Sequence, residues 1–93
     1  MDVIPTPRFD RAYRRYVGVD VEREHKEIEA LGRLAVNPTD PVLKAHKLTG
    51  ELVGLWSCSC GYDGRIVYAL RANRRTGQKC VELLDVGTHE EVY

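Results

Sequence analysis

The sequence has no long hydrophobic run and no excess of either charge. None of its apolar stretches approaches the roughly 18 residues that a membrane-spanning helix requires. Lysine and arginine number 14, as do aspartate and glutamate, so the net charge of zero argues neither for nor against a nucleic-acid partner. No repeat or linker interrupts the 93 residues, which predicts a single domain over 1–93. The first ten residues carry acid and proline rather than an apolar signal core, so we expect a mature, cytoplasmic protein that does not contact the membrane.

The chain lacks an even set of cysteines, since it has three. An odd number, with Cys58 and Cys60 two positions apart, suits a reducing compartment better than a disulfide framework. Together with Cys80 and His89 these thiols could in principle surround zinc. The C-x-C spacing is not that of a structural zinc knuckle, however, and cysteine is among the most frequently buried residue types. The sequence therefore predicts three small core residues and neither metal nor cofactor.

A predicted β-hairpin organises the second half of the chain. Two runs rich in Val, Ile, Tyr and Trp, 55–62 and 65–70, flank Asp63-Gly64, which favours a type I′ turn. Strand alternation places two sets of side chains on opposite faces of the first run. The set expected in the core is Trp56, Cys58, Cys60 and Tyr62, and the set expected on an open face is Leu55, Ser57, Ser59 and Gly61.

Two helices precede the hairpin. Thr6-Pro7 is typical of a helix start and Gly18 of a helix end, which predicts a first helix over 7–17. Asp20 can cap a second helix that ends at Asn37-Pro38. Its expected buried stripe, with His25 as a packed or boundary residue, is Val21, His25, Ile28, Leu31 and Ala35.

Short strands complete the predicted fold. We expect an edge strand over 2–4 and a last strand over 80–86 that is broken by Gly87. The predicted fold class is α+β, with a helical hairpin packed on one face of a small antiparallel sheet of three to four strands. The other face of this sheet is expected to be open.

Several polar groups can gather at that open face and its rim. They are two imidazoles, a carboxylate, a guanidinium and a phenol, from His46, Asp63, Arg65, His89 and Tyr93. Such a set suits metal-independent cleavage of an RNA phosphodiester, in which one group removes the proton of the 2′-hydroxyl and another protonates the leaving 5′-oxygen. Arginine stabilises charge on phosphorus, histidine fits both proton roles near neutral pH, and an aromatic ring can stack on a base.

Two motifs carry a resemblance to a known family. The segments HKLTGELVGLWSCSCGYDGRIVY and GTHEEVY resemble the RelE/ParE superfamily of bacterial toxins, and within it the YafQ-like RelE-type mRNA interferases. The resemblance implies a helical hairpin on a curved antiparallel sheet, cleavage of mRNA in the ribosomal A site and neutralisation by a cognate antitoxin. It also implies that His46, Asp63, His89 and Tyr93 act in catalysis or substrate placement, and that Arg65 stabilises the phosphate.

The sequence departs from the family pattern at two positions. Ser59 stands where YafQ-like toxins have a further histidine, and Asp85 stands where many members have an arginine. Two other functions therefore stay open. One is a ParE-like, non-enzymatic inhibitor of a protein target such as gyrase, and the other is a degenerate member that only binds its antitoxin.

Basic residues are concentrated in the middle of the chain. Residues 41–79 hold seven lysines and arginines against two acids, whereas residues 80–93 hold four acids and no lysine or arginine. Phosphate contacts give affinity for RNA without sequence choice. The candidate RNA-binding residues, of which those after residue 70 also fit an ordinary solvated turn, are Lys44, Lys47, Arg71, Arg74 and Arg75.

Overall fold

Five strands form one sheet, and two helices pack on one of its faces in the computed structural model, which describes all of residues 1–93. The strands are β1 (Asp2–Pro5), β2 (His46–Lys47), β3 (Trp56–Cys60), β4 (Gly64–Ala72) and β5 (Lys79–Thr88). The helices are α1 (Pro7–Val17), α2 (Val21–Val36) and a single C-terminal turn, α3 (His89–Val92), and two 3₁₀ turns occur at Pro41–Leu43 and Gly50–Leu52. No helix is both long and apolar enough to span a bilayer.

The predicted α+β class and the helical hairpin on a sheet are confirmed. The sheet is larger than expected, with the order β1-β5-β4-β3-β2. It is also mixed, because β1 runs parallel to β5 while the other neighbours are antiparallel. β2 escaped prediction because two residues are too few to show an alternating pattern.

Local capping signals define both long helices, as predicted. The Thr6 hydroxyl accepts a hydrogen bond from the Phe9 amide at 3.2 Å, and the Asp20 carboxylate accepts one from the Arg23 amide at 3.1 Å. These side chains satisfy amide groups that have no partner within the helix. Gly18 ends α1 with a φ of +52°, a conformation that other residues rarely adopt.

The predicted buried stripe of α2 is right at Leu31, which is half-buried and packs against the core, and wrong at three other positions. Val21 and Ile28 are 65% and 57% exposed, and His25 is also exposed. The residues that α2 buries against the sheet each lie one position earlier than a predicted one, which corresponds to a rotation of about 100°. They are Glu27, Ala30 and Leu34. An ionisable residue in the buried row hid that row from a hydrophobicity pattern.

The turn of the β3–β4 hairpin also differs from the prediction. Cys60 pairs with Gly64, so the connection is the three residues Gly61, Tyr62 and Asp63 rather than Asp63-Gly64. Gly61 has the positive φ, at +67°, and Tyr62 is fully exposed instead of packing in the core. Gly64 lies within β4, where a Cβ atom would stand 2.4 Å from both the Cys60 carbonyl oxygen and the Tyr16 hydroxyl. Glycine is required there for close packing and not for the turn.

The core lies between the two long helices and the sheet. All three cysteines are buried and unpaired, which confirms that they are small core residues. Tyr68 is fully buried, and its hydroxyl donates to the Pro38 carbonyl oxygen at 2.5 Å, which ties the chain after α2 to the sheet.

Glu27 is an unusual member of this core. Its side chain is fully buried, and neither carboxylate oxygen has a hydrogen-bond partner. Burial raises the pKa of Glu27 to about 7, and the neighbouring Cys60 thiol offsets only part of this effect. The carboxyl group is therefore accommodated most easily in its neutral form.

We expect this carboxyl group to make folding sensitive to pH. A pKa that is higher in the folded state than in the unfolded chain gives a contribution that is fully present below pH 4.5 and is lost as the pH rises to about 7. Relative to Glu27→Gln, the wild type should lose about 3 kcal/mol of unfolding free energy across that window. Denaturant unfolding between pH 4 and 8 measures this loss. Glu29→Gln removes an exposed carboxylate of the same helix and should keep the wild-type pH dependence, whereas an equal pH dependence in Glu27→Gln would contradict the assignment.

Candidate functional site

The face of the sheet opposite α1 and α2 carries a row of paired residues from four strands. His46 of β2 is directly opposite Ser57 of β3, which is opposite Val67 of β4. Arg65 of β4 lies between Ser59 of β3 and Gly87 of β5. These residues face away from the core, because their strand neighbours Cys58, Ile66 and Val86 are buried in it.

The last turn of the chain covers part of this face, which was expected to be fully open. Gly87 was predicted to break the last strand. It lies instead within β5 and faces α3. A Cβ atom on Gly87 would lie 3.1 Å from the Glu91 Cβ atom and 3.3 Å from the Val92 Cγ1 atom. The absence of a side chain therefore allows α3 to lie directly on the sheet.

A capping box fixes the start of α3. The Thr88 amide donates to the Glu91 carboxylate at 2.8 Å, and the Thr88 side chain faces the Glu91 amide in return. These hydrogen bonds to Thr88 lower the pKa of Glu91. The carboxylate is thus held at the first turn, where it also favours the helix dipole.

Tyr93 connects α3 to β3. Its phenol hydroxyl forms a hydrogen bond with the Ser57 hydroxyl, and Ser57 is fully buried. The His89 ring meets the Tyr93 ring edge to face, with 4.6 Å between ring centroids. A series of side-chain contacts therefore runs from Ser57 through Tyr93 to His89. His46 lies next to Ser57 on the adjacent strand.

His46 lies at the exposed edge of the sheet. Its Nδ1 atom is 2.9 Å from the Lys44 carbonyl oxygen. Because a carbonyl oxygen only accepts, Nδ1 carries the proton in the neutral ring and Nε2 is left with a free lone pair. Lys44 itself adopts a left-handed conformation with a φ of +54°, which turns the chain into β2.

Arg65 is half-buried, and one guanidinium nitrogen donates to the Gly64 carbonyl oxygen at 2.8 Å. The side chain borders a cleft of about 440 Å³ between α2 and the edge of β3, together with Ser59 and Lys44. Arg65 therefore starts on the strand face that points away from the core and also borders, at the edge of β3, a cleft that α2 lines from the other side.

Asp63 is the candidate that does not join this group. Its carboxylate accepts hydrogen bonds from the Tyr16 hydroxyl at 3.0 Å and from the Arg23 guanidinium at 3.1 Å. Arg23 in turn lies over the Tyr16 ring, 4.3 Å from its centroid. Burial raises the pKa of Tyr16, and the hydrogen bond to Asp63 adds to this effect. Asp63 therefore ties the hairpin turn to α1 and α2.

The candidate RNA-binding residues fall into two separate groups. Lys44 and Lys47 flank His46, and the Lys47 ammonium lies 5.8 Å from the centroid of the Trp56 ring. Arg71 forms an ion pair with Glu82 at 3.2 Å. It lies four residues along β4 from Val67, the residue that pairs with Ser57 beside His46, and four residues span roughly 13 Å in a strand. The exposed side chains of Arg74 and Arg75 lie in the turn beyond it.

Comparison with known proteins finds several solved structures with a fold similar to that of this chain. No family model and no curated protein matches the sequence. Among solved structures, the YoeB/ParE toxin from Agrobacterium tumefaciens has a TM-score of 0.78 at 19% identity, over 96% of this chain and 99% of that one. YafQ from E. coli strain BL21(DE3) has a TM-score of 0.73 at 19% identity, over 99% and 97%. The E. coli DinJ–YafQ complex gives 0.70 at 20% identity, over 99% and 97%.

The chain has the RelE/YafQ-type toxin fold. The two residues that depart from the family pattern, Ser59 and Asp85, lie in different parts of this fold. Ser59 pairs with Arg65 beside the other candidates, whereas Asp85 is held by the Arg8 guanidinium at 3.2 Å. Asp85 is therefore engaged with α1.

Ser57 is the residue of this toxin-fold site that sequence reasoning missed. Alternation placed it on the open face, but its partner strand β2 is too short to be recognised, so nothing linked it to His46. Its bond to Tyr93 also depends on α3 folding back over the sheet, which the sequence signalled only through Thr88 and Glu91.

The contacts of Asp63 predict a structural effect on substitution. Tyr16→Phe should lower the unfolding free energy by about 1 kcal/mol, since it removes one hydrogen bond to Asp63, and Asp63→Ala should lower it further, since it also removes the hydrogen bond from Arg23. The double variant should lose less than the sum of the two, because neighbouring partners are not independent. Denaturant unfolding measures all three values, and strictly additive losses would show that the two side chains act separately.

Proposed function

We propose that this chain is the toxin of a type II toxin–antitoxin system and that it cleaves mRNA without a metal ion. One observation supports this proposal above the others: His46 and His89, 43 positions apart in the chain, lie on one face of the sheet with Arg65 and Tyr93. The fold shared with YoeB and YafQ toxins agrees with it.

The proposed reaction is an internal transfer at phosphorus. A general base removes the proton of the 2′-hydroxyl, and the resulting oxygen attacks the adjacent phosphorus. The bond from phosphorus to the 5′-oxygen breaks, and a general acid donates a proton to that leaving oxygen. The products are a 2′,3′-cyclic phosphate and a free 5′-hydroxyl, and no other reactant is consumed. Arg65 neutralises charge that develops on the phosphoryl oxygens.

The contacts of the two histidines suggest how they divide the proton transfers. His46 has its Nδ1 proton engaged by the Lys44 carbonyl oxygen, so Nε2 can accept a proton from solvent-exposed RNA. We assign His46 as the base and His89 as the acid. Tyr93 borders His89 and offers a ring against which a base can lie. Asp63 has no part in this scheme, because its carboxylate is held by Tyr16 and Arg23.

Lys44 and Lys47 are assigned to RNA phosphates near the scissile bond, since both flank His46. Arg74 and Arg75, and Arg71 once it leaves Glu82, are assigned to phosphates farther along mRNA or to ribosomal RNA. With mRNA as the proposed substrate, we assign the chain to the cytoplasm, where ribosomes are found. The partner is a cognate antitoxin, as DinJ accompanies YafQ in the E. coli complex. We assign the antitoxin to the sheet face that carries α3, where it would exclude RNA.

Substitution of either histidine should abolish growth arrest. His46→Ala and His89→Ala should each lower RNA cleavage at least 100-fold, because general acid or base catalysis contributes about that much. The measurement is induction of the chain without antitoxin, with growth and mRNA 5′ ends followed together. His25→Ala is the matched control, since the third histidine is exposed on α2.

Other outcomes identify the alternative functions. Growth arrest that survives in a variant carrying both His46→Ala and His89→Ala, with no new mRNA ends, indicates a ParE-like inhibitor of a protein target. A wild-type chain that causes no arrest, although it binds its antitoxin, indicates a degenerate member. Either outcome contradicts the nuclease.

A further inference from the structure

The contact between Ser57 and Tyr93 joins a strand of the sheet to the last residue of the chain. Ser57 is fully buried, so its hydroxyl has no access to bulk water and depends on a protein partner. The phenol hydroxyl of Tyr93 is that partner. Ser59, two residues along the same strand face, has no such bond and is only half-buried.

The position of α3 depends on contacts of this kind. A helix of four residues has no stability of its own, because nucleation is unfavourable and a single turn adds few hydrogen bonds. Its first turn is fixed by the Thr88–Glu91 capping box and by the close contact with Gly87. At its end, the Ser57 hydroxyl holds Tyr93.

Tyr93 transmits this restraint to His89. The two side chains are four positions apart on one turn, a spacing at which helical side chains contact each other, and their rings meet at 84°. A fixed Tyr93 ring therefore limits the orientations open to the His89 imidazole. Because Ser57 also pairs with His46, the same serine lies between the two proposed proton-transfer groups.

We propose that Ser57 is a positioning residue, whose hydroxyl anchors Tyr93 and thereby orients the His89 imidazole toward the sheet face that carries His46 and Arg65. The proposal rests on the proposed nuclease function for its kinetic consequence, although the anchoring itself does not need RNA. Ser57 does not touch substrate in this scheme. It acts by holding α3 in place before RNA binds, so that no binding energy is used to order it.

The kinetic test uses four variants. Ser57→Ala and Tyr93→Phe remove the two hydroxyl groups of one hydrogen bond and leave the strand and the aromatic ring in place. Each should lower kcat roughly tenfold with KM within twofold, which corresponds to one hydrogen bond. The double variant should lose no more than either single one. Thr39→Ala is the control, since it removes an exposed hydroxyl that contacts only Asn37, and it should retain wild-type kcat. A Ser57→Ala variant with wild-type kcat, or a double variant with multiplied losses, would overturn the proposal.

A second measurement separates this proposal from the nuclease itself. The ring resonances of His89, observed by NMR in the free chain, report the nearby Tyr93 ring without any substrate. They should shift in both Ser57→Ala and Tyr93→Phe and stay unchanged in Ser59→Ala. If the wild type cleaves no RNA but these shifts occur, the nuclease function fails and the anchoring stands. If the resonances are unchanged in Ser57→Ala and Tyr93→Phe while thermal unfolding shows folded protein, the anchoring fails.

Discussion

The close contact between α3 and Gly87 is the constraint that sets the arrangement of residues on the sheet face opposite α1 and α2. A Cβ atom at Gly87 would lie 3.1 Å from that of Glu91. α3 would then have to move away from the sheet by a few tenths of an ångström. Because His89 and Tyr93 both project from this turn, the distance between α3 and the sheet decides whether they meet the residues of β3.

On the other face of the sheet, which α1 and α2 cover, packing of the helices requires a polar group to be buried. Glu27 lies in the row of α2 that packs against the sheet, and no hydrogen-bond partner compensates its carboxylate. Asp63, in contrast, is half-exposed and fully engaged by Tyr16 and Arg23. The hydrogen-bonded Asp63 carboxylate thus holds the helical hairpin to the β3–β4 turn. The buried Glu27 carboxylate, which has no hydrogen-bond partner, reduces the stability of the packing between α2 and the sheet.

Those features of the fold that depend on neighbouring residues could be predicted from the sequence. Thr6, Asp20 and Gly18 act within one helical turn, and their roles follow from side-chain chemistry alone. The face of α2 could not be predicted, since Glu27 occupies the row that tertiary packing buries and Ile28 the row that it exposes. The hairpin turn was misplaced because the sequence offers two glycines, and it is the pairing of Gly64 with Cys60, together with the close approach of Tyr16, that assigns Gly64 to the strand.

The candidate site shows the same division. His46, Arg65, His89 and Tyr93 were named from motif spacing. Strand pairing places His46 and Arg65, whereas Tyr93 and His89 reach the sheet through the bond between Tyr93 and Ser57 and the contact between the two rings. Asp63 was named with them, but its side chain turns to the helices, a direction that depends on Tyr16 some 47 positions earlier. Ser57 was absent from the predicted site, because its importance arises from two long-range contacts, with β2 and with Tyr93.

The central claim is that both histidines act on one phosphodiester. An experimental structure of the chain with a short RNA, in which the 2′-hydroxyl at the cleaved position is replaced by hydrogen, tests it most directly. If both histidines act on one phosphodiester, Arg65 should hold one phosphate, with the His46 Nε2 atom on the side of the missing hydroxyl and the His89 ring on the side of the 5′-oxygen. RNA bound away from this face, or the two imidazoles in contact with different phosphates, would contradict it.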